Sequence, residues 1–104
     1  MTGVIDSRNL GDLAMGAAIL SAGGGSYPYL EALSARQLLE AKGAVRMLDA
    51  ALLADDARVG CVAMAGAPLP LFERIVDPDH FARPLRVLEE HLGAPLDAVM
   101  GYEI

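Results

Sequence analysis

The chain has 104 residues, of which 54% are hydrophobic and 21% charged, and its net charge is −6. That is a globular composition with room for one small core, and its apolar share is high enough that some of it is expected to face a second domain or another subunit. Residues 1–52 carry five acids and four bases and residues 53–104 carry nine and four; an acidic chain without a basic stripe argues against nucleic acid and anionic membranes as partners.

Cys61 is the one cysteine, so no internal disulfide can form, which fits a reducing compartment. No basic start followed by an apolar stretch and a cleavage site is present, so no signal peptide is read. The longest apolar runs are too short and too broken by glycine to span a bilayer. These features together lead us to expect a cytoplasmic protein.

In chain order, Val4 and Ile5 suit a short strand or an anchoring arm. Ser7 or Asn9 can cap the helix that follows. Leu10, Leu13, Ala14, Ala17 and Leu20 fall at helical spacing and form its apolar stripe. Gly11 and Gly16 weaken that helix by about 1 kcal/mol each, which suggests close packing against another element. Gly23 is its natural stop. A second helix is predicted from Pro28 to Ala41, buried through Leu30, Leu33, Ala41 and either Leu38 or Leu39. Gly43 ends it in the left-handed region, and Lys42 suits its negative end.

Val45 to Leu48 reads as a strand, Asp49 to Ala54 as a short helical turn, and Asp55-Asp56 as a polar loop. Arg58 to Ala65 is the clearest strand. Its near-continuous apolar run predicts cover on both faces, as in a parallel sheet, and makes Cys61 an inert core thiol. Gly66 to Pro70 breaks it, and Leu71 to Val76 is ambiguous. Asp77-Pro78-Asp79 is a turn and a cap. Pro84 places the start of the third helix near Arg83, with Leu85, Leu88 and Leu92 as its stripe and Gly93 as its end. Leu96 to Met100 is a last strand. The order of elements predicts a single α/β domain over residues 1–104, with a largely parallel sheet.

The most unusual stretch is Ala22-Gly23-Gly24-Gly25-Ser26-Tyr27-Pro28-Tyr29. Three residues without Cβ atoms can bend sharply and bring main-chain N–H groups close to a ligand. Ser26 or Tyr27 would cap the next helix, with Pro28 in its first turn. The bend therefore leads to a helix N-terminus, which favours an anion or a carbonyl oxygen. It is not a Walker loop, because the Gly-Lys-Ser/Thr ending is missing. It is not a dinucleotide fingerprint either, because Pro28 stands where a glycine is needed. The plain alternative is a tight connector between two helices.

Asp12 to Leu20, followed by Gly23-Gly24-Gly25 and Pro28-Tyr29, resembles the opening of the S-methyl-thiohydantoin desulfurase-like proteins, a family often found beside hydantoinase and oxoprolinase enzymes. Met64 to Pro68 is similar to that family's small-residue loop after a buried strand. Asp97 to Met100, then Glu103-Ile104, resembles its run into a Glu-Ile-Gly-Gly motif. Ser26 stands where the family usually has a fourth glycine or a small polar residue. The resemblance implies a three-layer αβα sandwich forming the N-terminal portion of a longer protein. Its implied activity is hydrolytic loss of methanethiol from an S-methylated thiohydantoin. The Gly-Gly pair and the family's β-rich C-terminal domain would lie beyond Ile104, so this chain alone is expected to be inactive.

The substrate-binding candidates are Gly23, Gly24, Gly25, Ser26, Tyr27, Gly66 and Ala67. Amide groups of the glycine run would hold charge that grows as water attacks a carbonyl-like carbon. Gly66-Ala67 is a second rim; a sharp loop after a buried parallel strand is where open α/β sheets place ligands. Its plain alternative is an ordinary turn. Glu103 is the candidate catalytic carboxylate, as a general base or to orient a ring N–H, against the alternative of a solvated tail residue. Asp97 is expected to face solvent or a helix end. His80 and His91 lack a third ligand at suitable spacing and read as surface histidines, so no metal site is assigned. No cofactor can be named. The expected partners are a small cyclic imide, or another anionic or carbonyl ligand, and a second copy or a second domain. A non-catalytic assembly module, with the glycine run only a hinge, is the alternative.

Overall fold

The computed structural model describes residues 3–22, 28–66, 70, 73–74, 77 and 79–102. It has mixed α/β content: three helices and two small sheets, one antiparallel and one parallel. The chain forms two compact units, one built on residues 1–53 and one on residues 54–103.

The first unit opens with strand β1 (Gly3–Ile5), then helices α1 (Leu10–Ser21) and α2 (Pro28–Lys42), then strand β2 (Val45–Met47). β1 and β2 pair antiparallel, Gly3 opposite Met47 and Ile5 opposite Val45. Of the two readings of Val4-Ile5, a short strand or an anchoring arm, the strand is the one found. Asn9, one of the two expected caps, stands at the N-cap of α1 but makes no side-chain bond to the helix; the turn before it is closed reciprocally by Asp6 and Asn9. Asp6 Oδ1 accepts the N–H groups of Arg8 and Asn9 at 2.8 and 3.2 Å, and Asn9 Oδ1 accepts the N–H of Asp6 at 2.9 Å. The pattern has the reciprocity of a capping box, formed in the turn that leads into α1.

Leu10 is 5% exposed and is the one large apolar side chain that is buried among the described residues. Ala14, Ala17 and Ala18 follow it on the half-buried side of α1, while Leu13 and Leu20 are exposed. The predicted stripe is therefore rotated toward the alanines. Among the described residues a Cβ at Gly11 or Gly16 would meet nothing within 4 Å, so these supply no packing reason for either glycine. α1 ends one residue before the expected Gly23, at Ala22, whose φ of 48° is left-handed and whose N–H reaches the Ile19 carbonyl. In α2, Leu39 rather than Leu38 is the half-buried member of the pair, and Leu33 and Ala41 are exposed. Gly43 ends α2 as its sequence demands, with φ +93° and its N–H on the Leu39 carbonyl at 2.9 Å. A single 3-10 turn, Ala50–Leu52, follows β2; Asp49 caps it by accepting the Ala51 N–H at 3.1 Å.

The second unit contains strand β3 (Val59–Val62), helix α3 (Ala82–Leu92) and strand β4 (Ala98–Gly101). β3 and β4 run parallel, Val59 beside Ala98 and Val62 beside Gly101. α3 packs on one face of β3. Gly60 is the buried residue of that face, and a Cβ there would lie 2.6 Å from Leu96 Cδ1 and 3.0 Å from Leu85 Cδ2. Among the described residues, cover on both faces of β3 is not found. Successive side chains alternate across a strand, so Val59 and Cys61 point away from the Leu85 side. Val59 is 39% exposed, and Cys61 is an exposed thiol instead of a core one.

The connections of this unit are held by carboxylates. Asp77 Oδ1 accepts the Asp79 N–H at 2.9 Å, and Asp77 pairs with Arg83 at 2.7 Å. Arg86 pairs with Asp79. Gly93, with φ +66°, ends α3 in a Schellman turn: the Gly93 N–H reaches the Glu90 carbonyl and the Ala94 N–H reaches that of Glu89, each at 3.3 Å. The Glu89 carboxylate then accepts the Leu96 N–H at 2.8 Å and fixes the approach to β4.

Candidate functional site

The strand β3 leads to the first candidate loop. At its start, Asp97 Oδ2 accepts the Arg58 N–H at 2.9 Å, and the Asp97 N–H returns to the Arg58 carbonyl at 2.9 Å. At its end, the Tyr102 N–H reaches the Val62 carbonyl at 3.1 Å. Asp97 is thus not simply turned to solvent but joins two strands. Beyond β3 the chain reaches Gly66, which is exposed and has φ +139°. No atom of the described residues crowds the position of its missing Cβ. Glycine is needed there for backbone shape, not for close approach. Of the residues assigned to substrate in the sequence, Gly66 is the described one. Gly23, Gly24, Gly25, Ser26, Tyr27, Ala67 and the carboxylate Glu103 lie outside the described residues.

Both flanks of the glycine run are described. Ala22 takes a left-handed conformation that costs a non-glycine residue about 1–2 kcal/mol. Pro28 is the first residue of α2, where the absence of its N–H costs nothing. The run therefore joins a helix that ends in a left-handed residue to the electropositive end of the next helix.

The faces of α1 and α2 make two grooves. The larger, of about 320 Å³, is lined by Leu10, Ala14, Met15, Tyr29 and Leu33, with Arg36 as its charged member. The smaller, of about 200 Å³, is lined by Leu13, Ala14, Ala17, Ala35 and Glu31. Glu31 stands in the first turn of α2, where a negative charge suits the helix dipole. Its Oε2 is closed to solvent and accepts no hydrogen bond from the described residues. Sequence reasoning overlooked this carboxylate. The sign was present in the spacing: Glu31 follows Pro28 by three residues and precedes Ala35 by four, so it falls on the same helix face as those two apolar residues.

His80 and His91 are exposed, as read from their spacing, and His80 stands edge-to-face against Phe81 with ring centroids 5.6 Å apart. Among the described residues, no group of three His, Cys, Asp or Glu side chains is placed to hold a metal ion. None of their helices is long and apolar enough to cross a membrane.

The class these features define is an α/β domain with a glycine-rich link between two helices and a glycine-shaped loop after a parallel strand. The chain belongs to the S-Me-THD-like family: the family model described as "S-Me-THD-like, N-terminal domain" matches residues 8–104. No curated protein and no solved structure matches it.

Proposed function

We propose that this chain is the N-terminal α/β part of a cytoplasmic hydrolase acting on an S-methylated thiohydantoin or a related five-membered cyclic imide. The observation that carries the reading is the family match over residues 8–104. The three-layer αβα sandwich is part of the proposal, with β3 and β4 as its parallel pair. Water adds to the ring carbon bearing sulfur, the C–S bond breaks, and methanethiol leaves with a proton while the ring carbon becomes a carbonyl. Main-chain N–H groups of Gly23, Gly24 and Gly25, with Ser26 and Tyr27 beside them, stabilise the charge that develops. Gly66 and Ala67 contribute substrate contacts, and Glu103 takes the proton from water or orients a ring N–H. The left-handed Ala22 and the position of Pro28 at the head of α2 support this use of the glycine run. The positive φ of Gly66 supports a shaped loop after β3.

The test is methanethiol release from an S-methyl thiohydantoin by this chain combined with the β-rich half of a family protein. Release that is lost in Gly24→Val supports the reading. Release unchanged by Gly24→Val removes the glycine run from it, and no release removes the activity.

A second reading is favoured by the exposed apolar side chains. Ile19 and Leu20 are each 70% exposed, and Leu52 is 71% exposed. Surface of this kind suits a non-catalytic assembly module that is covered by a second copy or another domain. Light scattering that shows a stable oligomer, together with no thiol release in the complementation assay, selects this reading.

A further inference from the structure

We draw no further inference here: the strongest candidate, the outward face of helix α1 that leaves Met15, Ile19 and Leu20 exposed, is an apolar surface patch, and nothing among the described residues shows what covers it.

Discussion

Asp97 and Arg58, 39 residues apart in the chain, are joined three ways: carboxylate to main-chain N–H at 2.9 Å, carboxylate to guanidinium Nε at 3.5 Å, and Asp97 N–H to Arg58 carbonyl at 2.9 Å. The ion pair is half-exposed and adds little by itself. The two main-chain bonds matter more, because they set Val59 beside Ala98 and hence the register of the parallel pair. Asp97→Ala is expected to cost about 1 kcal/mol through the lost hydrogen bond. Urea unfolding of variant and wild type measures it.

The Gly60 position gives a larger expected effect. Leu96 and Leu85 occupy the space a side chain would need. Gly60→Val overpacks the contact between α3 and β3 and is expected to cost about 1–3 kcal/mol. Gly60→Ala is expected to be milder, because the nearest atoms are the free ends of leucine side chains. Thermal melts of both variants check the order.

Gly16 makes the opposite case. It lies inside α1 with open space where a Cβ would go. Gly16→Ala is expected to stabilise the chain by about 0.5–1 kcal/mol by favouring the helix and restricting the unfolded chain. A lowered melting temperature would show that this glycine has a packing role after all.

Acid is expected to loosen both units at their caps. The Arg8 guanidinium, then the Arg8 N–H, hold Asp6 below the ordinary carboxylate range. The Asp79 N–H, with Arg83 adding to it, does the same for Asp77. Groups with lowered folded-state values stabilise above the unfolded value and lose that contribution as pH falls through the folded one. The melting temperature should therefore hold from neutral pH down to about pH 5 and fall below about pH 4. In Asp6→Ala/Asp77→Ala it should start lower and fall less steeply over the same acid range.

Much of this architecture can be read from local chemistry. Gly43 and Gly93 mark helix ends because only a residue without Cβ takes their positive φ freely. Asp49 marks the 3-10 turn because a short carboxylate can reach the N–H two residues on. Val59 to Val62 lies within the run read as a strand and pairs parallel, although the two-sided cover from which that pairing is read is not found among the described residues. Features that depend on side-chain partners distant in sequence are not legible in this way. The alternation that exposes Cys61 depends on which face of β3 meets Leu85 and Leu96, and nothing in the run from Arg58 to Ala65 chooses between the two faces. The turn into α1 depends on Asp6 and Asn9 bonding to each other, and a search for one capping residue finds Asn9 but overlooks Asp6. Glu31 looks like any helical glutamate until α1 is laid beside it. The turn at Gly66 could be read from the break after β3, and its backbone has the shape that a glycine there implies.

Gly66 carries the next expected effect. Gly66→Ala places a Cβ on a backbone at φ +139°, a strain of about 1–3 kcal/mol unless the loop shifts. A shift of the loop is expected to lower methanethiol release more than it lowers the melting temperature. Parallel losses in both would mean that Gly66 serves only the fold.

The most direct measurement is made on the glycine run itself. The ¹⁵N-labelled chain is titrated with an S-methyl thiohydantoin, and the amide signals of Gly23, Gly24 and Gly25 are followed alongside hydrogen exchange. We expect these amides to exchange freely in the unliganded chain and to shift and become protected as the ring compound is added. Amides that are already protected, and that do not move at saturating compound, would mean they are bonded within the protein, and the function built on them would be wrong.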